Sequence, residues 1–262
     1  MYPEEHDGLP VASITVEGEP GKALAVTQQL PDTIVVFPLR RAVPFPNLMM
    51  PVLLDSERAR DIIAQAEAQR GYVLLLVQRD PEIEEPGPKD FYDVGVVARI
   101  LKVLKLPDGN ATAMAQGITR ARVVRFLRSK RPMLVARVMP LVDIPASGQR
   151  GAALFRALQD NLRHVVEASE QYGPDFSTAV LNIEQPEQLA DFTGSYFVKE
   201  FESRQRLLSA IDVTERLEIA LELVMKELEL ARLGNRIQEE IREKTEKAQK
   251  DYFLREQIKI IR

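Results

Sequence analysis

The chain reads as an α+β protein: a small, partly closed β-barrel (a pseudo-barrel of about six strands and one helix) followed by an α-helical bundle that ends in a long extended helix. Two features predict this. Short apolar and β-branched runs, separated by turns bearing Pro, Gly or Asn, fill residues 33–142. In the second half, from residue 151, apolar residues recur at helical spacing and no convincing strand follows. With 262 residues, 45% of them hydrophobic, the chain is long enough for a sizeable core.

Each element has a local signal. Residues 33–39 and 51–54 read as short strands. Ser56 is placed to cap a helix that runs to about residue 69 on an Ile62–Ile63–Ala66 stripe and ends at Gly71. Residues 72–78 are continuously apolar, which predicts a strand buried on both faces. After an acidic, proline-rich loop over 80–89, residues 94–106 form a long strand that meets the turn Leu106-Pro107-Asp108-Gly109-Asn110. Pro sets φ early in that turn, and Gly or Asn accepts positive φ, so a hairpin is expected. Strands at 112–118, 120–128 and 133–141 complete the barrel.

In the second half, Leu154, Phe155, Leu158, Leu162, Val165 and Val166 mark a helix over 151–169. Shorter helices fit 175–182, 186–197 with Pro186 in its first turn, and 203–210. Asp212 then caps a helix with no strong stop before the end of the chain, Gly234 being its one weak point. Before Gly234, Leu217, Leu221, Val224, Leu228 and Ala231 form a dense apolar stripe. From residue 235 to 251, ten of seventeen residues are charged, so this half cannot be buried in its own domain. Ile237, Ile241, Ala248 and Tyr252 line a thin seam suited to weak self-association. The expected organisation is a mobile acidic tail (1–30), a β-rich domain (31–145), a helical bundle (146–234) and the second half of the long helix (235–262).

Composition removes several function classes. There is no Cys, which excludes disulfides and thiolate sites, and His6 and His164 are far apart, so no metal site is expected. The longest stretch without a charge covers residues 42–54 and holds Pro44, Pro46 and Pro51, too short and too broken to span a bilayer. No secretory signal is recognised, and a cytoplasmic location is expected. Residues 1–30 hold five of the 39 acidic residues and one of the 35 basic ones, leaving 34 of each in the rest. A balanced body is not expected to bind nucleic acid as its main task. Gly21-Lys22 lacks the flanking residues of a phosphate loop, so no nucleotide or other cofactor site is expected, and no carboxylate pair marks a catalytic centre.

Two stretches are candidates for recognition. The run Arg120, Arg122, Arg125, Arg128, Lys130 and Arg131 either attracts an anionic polymer or an acidic substrate segment or, the reading favoured here, is the solvated face of a strand pair with Ala121, Val123, Phe126 and Leu127 inward. The segment 43–51 carries Phe45, Leu48, Met49 and Met50 in a proline-interrupted loop. Either these side chains form a surface for unfolded chains, to which adaptable Met is suited, or the loop folds back and caps the barrel. Met49 and Met50 are expected to be the more accessible pair.

Several of these segments resemble one family. Val35-Val36-Phe37-Pro38-Leu39-Arg40 with Pro44-Phe45-Pro46 is similar to the opening strand and loop of the amino-terminal domain of Lon ATP-dependent proteases. So are Val94-Gly95-Val96-Val97-Ala98, the Leu106-Pro107-Asp108-Gly109 turn, and Gly117-Ile118-Thr119-Arg120-Ala121-Arg122. Gln188-Leu189-Ala190-Asp191, Asp212-Val213-Thr214-Glu215-Arg216-Leu217 and Lys250-Asp251-Tyr252-Phe253-Leu254-Arg255-Glu256-Gln257 extend the likeness through the helical half, in the family's order.

The resemblance implies a substrate-binding pseudo-barrel, a helical bundle and a long helix leading to a ring-forming AAA+ ATPase. It implies a homo-hexameric serine protease of protein quality control. Such an enzyme uses ATP and Mg in the ATPase module and a Ser–Lys dyad to degrade unfolded, damaged or regulatory proteins. Neither module has a counterpart here, so this chain is expected to recognise substrates and assist ring assembly without ATPase or peptidase activity. By itself it is expected to be a monomer or weak oligomer. The alternative is a free-standing binding or adaptor protein with the same barrel.

Overall fold

The computed structural model describes residues 30–105, 111–127, 133–169 and 171–261, the side chains of Pro174 and of residues 251–261 excepted. The acidic segment before Leu30, the 106–110 turn and the basic residues Arg128, Lys130 and Arg131 lie outside the described residues. The chain divides into two compact units between Asp143 and Ile144.

The first unit is a mixed sheet of six strands: β1 (Thr33–Leu39), β2 (Met49–Leu54), β3 (Tyr72–Val77), β4 (Val94–Lys105), β5 (Ala111–Leu127) and β6 (Val135–Pro140). Helix α1 (Glu57–Ala68) follows β2. The order is β2-β5-β4-β3-β1-β6, and a further β5–β6 pairing closes five strands into a partly closed ring. β1 and β3 are parallel, and the other pairs are antiparallel. β5 is one strand of 17 residues where two were expected, and its length is what makes closure possible. Its first part pairs with β2 on one side and β4 on the other, and its later part pairs with β4 and β6. Beyond the ring, β2, β5 and β4 therefore continue as a three-stranded arm.

Two layers of side chains hold this unit. Ile34, Val36, Leu74, Leu76, Val97, Ala121, Ala136 and Val138, with Phe91, form one buried cluster to which all five ring strands contribute. No residue of α1 belongs to that cluster, although α1 packs on β1, β2, β3 and β4, so α1 covers the opposite face. Ala59, Ile62, Ile63 and Ala66 are the buried residues of α1. The double coverage explains why β3 reads as an unbroken apolar run. Ser56 caps α1 by accepting a hydrogen bond from the Ala59 N–H at 3.2 Å. The helix ends at Ala68, and both Arg70 and Gly71 take positive φ before β3 begins.

The second unit is helical: α2 (Gly148–Ala168), α3 (Pro174–Asn182), α4 (Pro186–Tyr196), α5 (Phe201–Ser209) and α6 (Val213–Ile261). The Asp212 carboxylate accepts hydrogen bonds from the Thr214 and Glu215 N–H groups at 2.8 and 3.3 Å and starts α6. Val213, Leu217, Ala220, Val224 and Leu228 are buried, and α6 packs on α2, α4 and α5. Inside this bundle Arg216 is fully buried. It donates to the Ala210 carbonyl at 2.8 Å and pairs with the Asp191 carboxylate at 3.5 Å. Phe176, Phe192 and Phe197 pack with Tyr172 and Tyr196 in an aromatic cluster. The Asn235 side chain donates to the Ala168 carbonyl at 2.7 Å, meeting an orphan acceptor at the end of α2. From Arg232 to Lys250 every residue of α6 is exposed.

Candidate functional site

The segment 43–48 is pinned to β5 at Gly117. The Gly117 N–H donates to the Leu48 carbonyl at 2.9 Å, and the Asn47 N–H donates to the Gly117 carbonyl at 3.0 Å. Asn47 has φ of 60°, a conformation that Asn tolerates better than most residues. A Cβ on Gly117 would lie 2.3 Å from the Phe45 carbonyl oxygen, so this close approach requires glycine. Val43, Pro44, Phe45 and Pro46 are all buried, with Phe45 only 3% exposed. Phe45 is thus buried and presents no surface. Leu48 is half-buried.

Met49 and Met50 are the first residues of β2 and not part of a loop. β2 alternates strictly: Met49, Pro51 and Leu53 are exposed, whereas Val52 and Leu54 are buried and Met50 is half-buried. Register extends this pattern across the arm. Met49 pairs with Gln116, which pairs with Arg99; Pro51 with Met114 and then Lys102; Leu53 with Thr112 and then Leu104. The rows between them hold Val52, Ala113, Ala115 and Ile100, all buried. A bulge between Ile100 and Lys102 turns Leu101 outward as well. One face of the arm is therefore core, and the other is an open sheet of Met49, Pro51, Leu53, Met114, Leu101 and Leu104. At 42%, 53%, 49% and 38% exposure, Met49, Leu53, Leu101 and Leu104 can each gain further burial against a partner. Arg99 and Lys102 border it on β4, and both are exposed.

Only part of this surface was readable beforehand. Met49 belongs to it, while Leu53, Leu101, Leu104 and Met114 were assigned to plain strands. The alternation in β2 was the available signal, but a six-residue run of Met, Pro, Val and Leu does not reveal which parity faces solvent.

The basic run also needs correction. Arg120 is 2% exposed and pairs with Asp143 at 3.6 Å, so it is a core residue and not part of a solvated face. Its carbonyl accepts from the Leu141 N–H at 2.9 Å, which ties β5 to the segment after β6. Arg122 and Arg125 are exposed, and Val123, Phe126 and Leu127 are half-buried.

On α6, Ile237 and Ile241 are 48% and 58% exposed, and Ala248 is exposed too. The side chain of Tyr252 lies outside the described residues. Leu230 and Leu233 are exposed on the same helix and carry the seam back toward the bundle at 3-4-4 spacing through Ile237 and Ile241. That extension was missed because Leu230 and Leu233 flank a stripe that packs internally. Among the described residues no group of His, Asp and Glu is placed to hold a metal ion, and no helix is long and apolar enough to cross a membrane.

The family model for the substrate-binding domain of the ATP-dependent protease La (Lon) matches residues 33–226. The chain is 37% identical over 234 residues to Lon protease 2 of Thermus thermophilus, covering 88% of this chain and 29% of that protein. It is 33% identical over 243 residues to the Lon protease of Heliobacterium modesticaldum, covering 93% of this chain and 29% of that protein. The chain thus spans less than a third of the length of these relatives. Its fold is similar to that of the amino-terminal domain of the Mycobacterium avium complex Lon protease, with a TM-score of 0.63 at 23% identity, covering 74% of this chain and 98% of that one.

Proposed function

Because the chain belongs to the Lon substrate-binding domain family, we propose that it recognises unfolded or damaged protein segments on the open face of the β2–β5–β4 arm. The observation that carries this reading is the apolar grid of exposed Met49, Leu53, Leu101 and Leu104 with half-buried Met114, on strands whose other face is core. Strands present these side chains on a backbone that needs no ordering on binding, and Met adapts to varied partners. Leu48, at the edge of the arm, and Met50, turned toward the core side, contribute less, and Phe45 holds the segment from below.

The exposed half of α6 supports a role in assembly. Leu230, Leu233, Ile237, Ile241 and Ala248 offer a narrow seam, with Tyr252 continuing the register. Two such helices associate weakly by themselves and more strongly when a shared ring raises their local concentration. In this reading the chain is the recognition part of an ATP-dependent serine protease. ATP, Mg and the catalytic dyad belong to other modules, and the purified chain turns over neither ATP nor peptide.

The test is binding of a labelled, permanently unfolded polypeptide to the chain and to its Met49→Ser/Leu53→Ser variant. Each half-exposed side chain gains about 1 kcal/mol on full burial, so the double variant should bind roughly 10- to 30-fold more weakly. Its thermal midpoint should move little, because both side chains face solvent. Unchanged affinity would remove the arm as the binding face.

A further inference from the structure

We infer that the arm selects extended segments in which an apolar side chain is followed about three residues later by a carboxylate. This rests on the proposed use of the arm as the binding face and names the class of segment it takes.

Three observations support it. The first is charge. Arg99 and Lys102 occupy the β4 column of two successive rows, and Lys105 lies exposed at the strand's end. The nine residues of the three rows include no Asp or Glu. Among the described residues neither Arg99 nor Lys102 has an ion-pair partner, and these two exposed cations stand beside apolar side chains. An incoming carboxylate would meet them without displacing another.

The second observation is the outer edge of β2, which pairs with no other strand among the described residues. The Gly117-to-Leu48 hydrogen bond sets the alternation, so Leu48, Met50, Val52 and Leu54 turn their polar backbone groups toward β5, and Met49, Pro51 and Leu53 turn theirs outward. Pro51 sits at the middle of that outward set and has no N–H. Strand addition along this edge would lose its central hydrogen bond, which is how edge strands are kept from pairing. A partner is therefore held by side chains lying across the strands and not by a ladder along the edge.

The third is distance. Strands lie about 4.8 Å apart, so the β2 column and the β4 column are separated by about 10 Å. A bound segment in the polyproline II conformation advances about 3.1 Å per residue and returns a side chain to the same side every third residue, which the two-residue alternation of a β-strand would not do. A segment crossing from Met49 or Pro51 to Arg99 or Lys102 covers that gap in about three residues.

The experiment measures fluorescence anisotropy of labelled nonapeptides binding to the 262-residue chain. All share one apolar anchor. They carry Glu three residues after it, Glu immediately after it, Gln, or Lys. The spaced Glu peptide should bind roughly two- to five-fold more tightly than the Gln peptide in dilute buffer, with the Lys peptide weakest. The advantage should vanish near 0.5 M salt, where screening acts within a few ångströms. Arg99→Gln/Lys102→Gln should equalise the Glu, Gln and Lys peptides, and Arg99→Lys/Lys102→Arg should retain the preference.

Equal binding of all four peptides, lost in Met49→Ser/Leu53→Ser, would overturn the charge selection and leave the binding face standing. Binding insensitive to Met49→Ser/Leu53→Ser would overturn both. A Glu preference that survives Arg99→Gln/Lys102→Gln, or equal preference for both Glu positions, would refute the crossing geometry. Displacement of the Glu peptide by a single-stranded oligonucleotide at lower concentration than by its own unlabelled form would assign the cations to nucleic acid instead.

Discussion

Substituting Gly117 by Ala tests the contact on which the binding arm is built. The new methyl would sit 2.3 Å from the Phe45 carbonyl oxygen, 3.1 Å from the Phe45 carbonyl carbon and 3.2 Å from the Pro46 Cα, all backbone atoms. Ordinary contact begins at 3.4 Å, so segment and strand must part by about 1.1 Å, the difference between 3.4 and 2.3. The segment has little freedom to move. Phe45 is anchored in the core, and residues Asn47 and Leu48 are hydrogen-bonded to Gly117 itself. Overpacking of this kind costs about 1–3 kcal/mol, and straining the two hydrogen bonds without breaking them adds about 0.5 kcal/mol each. A net loss of about 2–4 kcal/mol is expected. For a domain of this size each kcal/mol moves the midpoint by about 4 °C, so calorimetry should register a fall of roughly 8–16 °C. The start of β2 would shift with the segment, and affinity for the unfolded polypeptide should fall in the same variant. A midpoint within about 2 °C of the parent protein, with affinity intact, would refute the claim that this approach positions the arm.

Other variants probe the helical unit. Asp191→Ala leaves the guanidinium of Arg216 buried without its carboxylate and should destabilise the unit by about 3–5 kcal/mol in urea unfolding, whereas Asp191→Leu/Arg216→Met should recover most of the loss. If the single and double variants unfold alike, the pair is not the cause. Amide exchange should be much faster from Arg232 to Lys250 than in Leu217–Leu228, and Gly234→Ala, where a Cβ meets nothing within 4 Å, should slow it without moving the thermal midpoint. Equal protection on both sides at low micromolar concentration would mean the α6 seam is already buried. Burial, and secondarily the nearby Glu227, push the Tyr172 hydroxyl up to about 12. A raised pKa means the unfolded chain ionises first. Tyr172 therefore adds to alkaline instability as pH rises from about 10 toward 12, and Tyr172→Phe should lessen that loss in pH-dependent unfolding.

What the residue order determined by itself was the set of elements. Ser56 and Asp212 announce their helices through side chains that bond N–H groups within three residues, and the stripe from Leu217 to Leu228 repeats at the period of the helix it builds. The unbroken apolar run of β3 similarly declared burial on both faces. Even the exposure of Ile237 and Ile241 follows from the charged residues around them. These are local consequences of backbone geometry and side-chain chemistry, so they survive without knowledge of the neighbours.

Tertiary structure decided what depends on pairing between distant residues. Closure of the ring requires β5 to run unbroken past Gly117 and meet both β4 and β6. Burial of Phe45 depends on a glycine more than seventy positions away. Arg120 resembles its exposed neighbours in sequence, yet β5 carries it into the interior beside Asp143. The open face of the arm depends most on register. A strand such as β2 has apolar residues of both parities, and a slip of one position would bury Met49 and Leu53 and expose Val52. Only the ladder to β5, begun at Leu48 and Gly117, selects the parity that faces solvent, because α1 covers the other.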